Sequence, residues 1–326
     1  MRDALAVSRR GLLVGAALGL AGPARGAVPD AALLVGPGPE DAASFRWLQR
    51  LGAGLGRALP QATAFRVQAV GGADGVTAAN RFATEAEPDG RSLLAFAPGA
   101  AQARLIGDGR AKYDCGTWLA VCGGTQPAAL LVRRQPAPGV ALRVATPGAE
   151  APETAAILAL DLLGRPATPV LTPTPEAAFA SGAADAFLAS GPALAARARA
   201  LDAEIAFAAE PGGGGRDPLL PEVPVLPEFR AELPAAALAA LRAALAACRL
   251  RALVVLPALT PADAVSAFRR AAQHWQEEEA REGAVEAVRL IGPTESARVQ
   301  AQLAASAEAC AHYRDWLHRR TGWRAA

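Results

Sequence analysis

The sequence predicts an α/β protein of two lobes with mainly parallel sheets, and three observations predict it. Short apolar runs alternate with Ala-rich helical stretches along the chain. The 326 residues exceed what one hydrophobic core holds. The pattern also leaves its first block near residue 132 and returns to it near residue 254, so two crossings join the lobes and a hinge with a cleft between them is expected. This assigns residues 27–131 and 255–326 to one lobe and 132–254 to the other.

The chain opens on a basic start, an apolar run from Gly11 to Ala21 and a small-residue exit ending at Gly26, the layout of an export signal. The run is shorter than the ~20 residues that span a bilayer. Arg9 and Arg10 before Gly11, Leu12 and Leu13 fit a twin-arginine signal, and an ordinary secretory signal is the alternative. Cleavage before Ala27 places the mature chain in the periplasm. The first 26 residues carry four arginines and one aspartate, so the overall +2 becomes −1 once they are removed. With Lys112 the only lysine and the arginines scattered among acids, the electrostatic footprint of a nucleic-acid binder is missing.

The elements follow in order. "AALLVG" from Ala31 is a strand, "PGPEDA" a loop, and Phe45, Leu48, Leu51, Leu55 and Leu59 give a helical stripe that Pro60 ends. "AFRVQAV" is a second strand leading through "GGADG" to a helix, the Pro88-Asp89-Gly90 turn and the strand "SLLAFA". In the second block "ALRVAT" is a strand, "PGAEAPE" a loop, and Thr154 to Leu163 a helix closed by Gly164. Thr174 as N-cap and Pro175 at the first helical position start the next helix, and "ADAFLAS" is a strand stopped by Gly191. After "EIAFAA", the Gly- and Pro-rich run to Phe229 reads as a loop laid over the surface. Thr260, Pro261 and Asp263 make a capping-box-like start to another helix; "AVRLIG" is a short strand, and one long helix from Thr294 closes the chain.

Catalytic and metal chemistry find little support. His274, His312 and His318 fall in C-terminal helices, the last two on different helix faces, and no GxSxG, HExxH or phosphate-binding loop is present. "GGADG" does not satisfy GxGxxG, so it reads as a close helix-strand turn. Cys115, Cys122, Cys248 and Cys310 have no zinc spacing; a Cys115–Cys122 disulfide and four buried thiols are both open. The five tryptophans are assigned to packing. No cofactor and no enzymatic activity are expected. What recurs is a set of small-residue loops at strand ends, Gly36–Asp41, Pro98–Ala101, Thr146–Thr154 and Ser190–Pro192. Each leads into a helix whose free N–H groups suit a small anion.

With Gly71, Gly72 and Gly75 ahead of "PDGRSLL", then "RDPLLPEVPVLPEF" and "LPALTPADAVSAFRRA", the sequence resembles the tripartite tricarboxylate transporter receptor family, the Bug-type extracytoplasmic solute-binding proteins. The resemblance implies a type II periplasmic-binding-protein-like fold whose lobes close on a small organic acid, presented by a monomer to integral-membrane transporter subunits. Carried over, the ligand contacts would be Gly36, Pro37, Gly38, Pro39 and Asp41, then Pro98, Gly99 and Ala100, and on the second lobe Thr146, Gly148, Thr154 and Ser190. The family's G-x-x-D strand pattern falls on Gly182, Asp185, Phe187 and Ser190. The second-lobe loop departs from the pattern by losing its serines and gaining Glu150 and Glu153, which would repel a carboxylate if they faced it. A sensory or accessory binding protein acting on a membrane kinase is the alternative function, with an exported enzyme behind it.

Overall fold

The computed structural model describes residues 28–133, 140–210, 216–225, 233–282 and 288–324; the expected export signal lies outside them. Its strands form two sheets. The first holds β1 (Ala31–Gly36), β2 (Ala64–Ala69), β3 (Ser92–Phe96), β4 (Leu119–Thr125), β10 (Leu250–Leu256) and β11 (Arg289–Ile291), in the order β11-β4-β10-β3-β1-β2. The second holds β5 (Ala128–Val132), β6 (Leu142–Thr146), β7 (Ala167–Leu171), β8 (Ala186–Ser190) and β9 (Glu204–Ala208), in the order β7-β6-β8-β5-β9.

Both sheets repeat one plan. Three parallel strands joined by helices (β2-β1-β3 and β7-β6-β8) are followed by one antiparallel strand that arrives from the other lobe, β10 or β5. The sheets are therefore mixed: parallel where a helix returns the chain to the same edge, antiparallel where the chain crosses between lobes. The crossings fall at Gln126–Pro127 and at Arg249–Leu250, where the Gln126 N–H donates to the Arg249 carbonyl at 2.8 Å. They lie a few residues before the expected positions because β5 and β10 begin at once after each crossing.

Successive residues of the central strands point to opposite faces and both faces are covered, which is why these strands read as continuous apolar runs. In the first sheet Leu34, Leu93 and Val254 pack under α1 (Ala43–Ala58) and α8 (Ala262–Glu282), with Trp47 and Trp275 edge to face at 6.3 Å. Val35, Leu94 and Leu253 pack on the other side against α2 (Val76–Glu85), α3 (Pro98–Ile106) and α9 (Pro293–Leu303). In the second sheet Leu131, Ala145 and Phe187 face α5 (Pro175–Ala180) and α6 (Leu194–Ala200). Leu130, Val144 and Leu188 face α4 (Ala155–Leu162), α7 (Ala235–Arg249) and α10 (Ala307–Thr321).

α7 belongs to both halves. Its Leu241, Ala244 and Leu245 lie in the second lobe's core, while Ala246 and Ala247 lie in the first lobe's. Leu105 and Ile106 at the end of α3 join the second lobe's core, and so does Tyr313 of α10, so a layer of helices fastens the lobes beyond the two crossings.

Several expectations are corrected. The final helix is two: α9 ends at Leu303, and Ser306 takes an extended conformation and caps α10 by accepting the Ala309 N–H at 3.2 Å. The Thr174 side chain makes no cap bond. The Thr260 hydroxyl donates backwards to the Pro257 carbonyl rather than capping α8. The run after β9 is not merely laid over the surface, since Leu220 packs into the second lobe and the Asp217 carboxylate is buried against the Arg249 guanidinium at 2.7 Å. All four cysteines are free thiols, of which Cys310 is half-buried and the others buried. No helix of the described residues is long and apolar enough to cross a membrane.

Candidate ligand-binding site

The C-terminal ends of β1, β2 and β3 carry loops that are packed on one another, and glycine makes the packing possible. A Cβ on Gly38 would lie 2.5 Å from the Gly71 carbonyl oxygen, one on Gly75 2.6 Å from Ala97 Cβ, and one on Gly99 2.8 Å from the Asp74 backbone. Gly75 also has φ +74°, a left-handed conformation that suits glycine, and so serves as the N-cap of α2. The loop 36–41, the loop 71–75 and the start of α3 thus form one surface. Gly36, Pro37 and Gly38 are buried within it, while Pro39 and Asp41 are exposed. Pro98 and Gly99 are half-exposed at the start of α3, where helix geometry leaves the first N–H groups without intrahelical partners. Ala100 is fully buried and its carbonyl accepts the Tyr113 hydroxyl at 2.8 Å, so it supports the start of α3 from inside.

On the second lobe the loop after β6 folds on itself. The Thr154 hydroxyl, fully buried, lies 3.2, 3.1 and 2.7 Å from the carbonyls of Gly148, Ala149 and Ala151, and the Thr146 hydroxyl lies 3.2 Å from the Gly148 carbonyl. Both threonines therefore shape the loop from inside. The 3-10 turn Pro152–Thr154 that follows packs against α3 and α7, and the Cys248 thiol donates to the Pro152 carbonyl at 2.8 Å. Through α3 and this turn, strand-end loops of both lobes reach the same junction. A further polar link crosses it: the Gln102 amide of α3 donates to the Tyr313 hydroxyl at 3.3 Å, both side chains being buried.

Beside the turn a cavity of about 610 Å³ opens at the C-terminal edge of the second sheet. Phe187 and Ala189 form its floor, and its walls are Pro147 and Glu153 from the β6 loop, Thr174 and Glu176 from α5, Ser190, and Arg197 from α6. Arg197 bridges the two helices: its Nε lies 2.9 Å from the Glu176 carboxylate, another of its nitrogens donates to the Ser190 carbonyl at 3.1 Å, and its guanidinium stands 5.7 Å from the Phe187 ring centre. Glu153 has no such cation among the described residues, and burial raises its carboxyl above the ordinary range. Glu150, by contrast, is exposed and folds back over Gly148.

Of the residues singled out from sequence, Ser190 lines this cavity, while Thr146, Gly148 and Thr154 build the loop beside it. Glu176 and Arg197 were missed as site residues; "ALAARARA" offers two arginines, Arg197 and Arg199, and nothing in the sequence tells which of them reaches the helix that Pro175 starts. Asp185 of the G-x-x-D pattern is structural: its carboxylate accepts both the backbone N–H and the guanidinium of Arg143, pinning β6 to β8. A second cavity, of about 600 Å³, lies between α1 and the edge strand β2 where Gly52 and Gly56 carry no side chains, and none of the candidate loops reaches it.

No protein-family model matches the chain, and no curated protein matches its sequence. Solved structures do match. A TctC solute-binding protein from Polaromonas, without ligand, superposes with a TM-score of 0.67 at 15% identity, over 89% of this chain and 98% of its own. MatC from Rhodopseudomonas palustris with bound malate gives 0.54 at 20% identity, over 89% and 99%. A second R. palustris protein, with adipate, gives 0.51 at 16% identity, over 90% and 98%. The fold is that of two-lobed solute-binding proteins of the TctC and Bug type.

Proposed function

We propose that this chain is an exported solute-binding receptor that holds a small organic acid between its lobes and hands it to a membrane transporter of the tripartite tricarboxylate type. The observation that carries the reading is the meeting of the two lobes at one junction, where α3, the helix that follows β3, packs on the Pro152–Thr154 turn that follows β6, with a cavity beside it. Such a junction offers backbone N–H groups to an anion and needs no nucleophile, base or metal. The fold neighbours that hold malate and adipate support a carboxylate as the ligand. The proposed ligand surface is the loops that carry Gly36, Pro37, Gly38, Pro39, Asp41, Pro98, Gly99 and Ala100 on one lobe and Thr146, Gly148, Thr154 and Ser190 on the other, with the buried Ala100, Thr146 and Thr154 shaping those loops from inside. The receptor works as a monomer in the periplasm and is not an enzyme.

The test is a thermal-shift screen of small carboxylic acids against the mature protein. A true ligand raises the Tm in proportion to the logarithm of its concentration above Kd. A wide acid panel without any shift at millimolar concentration would overturn the proposal.

A further inference from the structure

The charges around the second-lobe cavity do not balance, and the imbalance sits on one residue. Among the described residues three ionisable side chains line it: Glu153, Glu176 and Arg197. Arg197 and Glu176 neutralise each other through a direct ion pair. Glu153 forms no ion pair among the described residues and sits at the inner wall where the cavity meets the interlobe junction, near the buried Cys248 thiol and Tyr313 hydroxyl. An unpaired carboxylate losing water costs free energy, and a site that keeps one normally uses it. A ligand carboxylate brought within several ångströms of it would meet repulsion in a partly desolvated space, whereas a ligand ammonium would supply the missing partner.

We infer that Glu153 is a specificity-determining residue that reads a cationic amine on the ligand, so that the receptor takes amine-bearing acids in preference to plain dicarboxylates. This deepens the receptor reading and rests on it. Glu150, three residues earlier in the same loop, has no part in the selection because it lies exposed and turned over Gly148. Selectivity of this kind comes as much from penalising the wrong ligand as from rewarding the right one.

The experiment compares two length-matched series by calorimetry and thermal shift, the α,ω-dicarboxylates from malonate to adipate and the ω-amino acids of the same chain lengths. Wild-type protein is expected to bind a member of the amino-acid series at least tenfold more tightly than the dicarboxylate of equal length. Glu153→Gln keeps the shape and removes the charge; it should abolish that preference, weakening the amino acid and strengthening the diacid, while Glu150→Gln leaves both unchanged. An unshifted circular-dichroism spectrum for each variant confirms the fold. A wild-type preference for the dicarboxylate, or a preference untouched by Glu153→Gln, overturns the inference and leaves the receptor standing. Failure of every member of both series to bind counts against the receptor reading itself.

Discussion

The Arg249 guanidinium, at the last turn of α7, lies 2.7 Å from the Asp217 carboxylate, and both side chains are buried. Arg249 also pairs with buried Glu210. Because its carbonyl receives the Gln126 N–H, one residue touches both chain crossings and the long loop after β9. Replacing Arg249 with Met would leave two buried carboxylates facing each other, at a cost of about 3–5 kcal/mol. Urea denaturation of R249M should show a midpoint far below wild type, and D217N a smaller loss.

Glu210 gives the triad a pH signature. Burial, opposed by attraction to Arg249 and reinforced by Asp217, pushes its carboxyl up to about 7 from an ordinary value of 4.5; Arg289 and Glu295 add smaller opposing effects. A carboxyl that holds its proton more tightly when folded stabilises the fold fully below about 4.5 and loses that contribution as pH rises through about 7. Stability should therefore fall between pH 5 and 7.5 by on the order of 2 kcal/mol. E210Q should flatten this slope in denaturation curves across the range, and an unchanged slope would assign it elsewhere.

Asp185 pins the register of β6 against β8 through Arg143 and lies two residues before Phe187 in the cavity floor. Arg143 holds its carboxyl below the ordinary range, so the contribution is present at neutral pH and lost on acidification. D185N should cost about 1–2 kcal/mol at pH 7 and progressively less as the pH is lowered below the ordinary carboxyl range, measured by chemical denaturation across that range.

Gly38 and Gly75 test the first-lobe loops. G75A demands a left-handed conformation and meets Ala97 Cβ at 2.6 Å; G38A meets the Gly71 carbonyl at 2.5 Å. Each should lower stability by about 1–3 kcal/mol and, if the proposed contacts hold the ligand, weaken its binding far more than it shifts the Tm, since the loops it displaces carry those contacts.

The thiols give a probe of global opening. Burial pushes Cys115 to about 11, Cys122 to about 12 and Cys248 well above the ordinary thiol. At pH 8 a thiol reagent should modify these three only at the rate of unfolding, with the half-buried Cys310 reacting sooner. Fast labelling of Cys248 in native protein would show that the turn packed on it opens on its own.

Much of this architecture was legible. β1 coincides with "AALLVG" because Asp30 and Gly36-Pro37 bracket an apolar run that packing then confirms on both faces. β4, "LAVCGGT", was not legible, because a Gly-Gly pair signals a turn. Gly123 and Gly124 instead sit in mid-sheet, where Ile291, Val288 and the Trp47 ring fill the space side chains would need. The boundary between α7 and β10 was hidden for a different reason: a continuous apolar run has no period that separates buried helix from buried strand. At the site, the sequence exposed Glu150 and Glu153 as oddities. Only the fold tells them apart, turning one to solvent and the other to the cavity wall.

The position of α10 sets the order of assembly. The strands of the second sheet are all synthesised by Ala208, but one face of that sheet is closed by Tyr313, Trp316 and Leu317, near the end of the chain. Domains usually complete themselves as they emerge; here the middle of the polypeptide waits, half-covered, for its last few turns. A chain shortened before α10 would leave the part of the second lobe's core that Tyr313, Trp316 and Leu317 complete exposed to water.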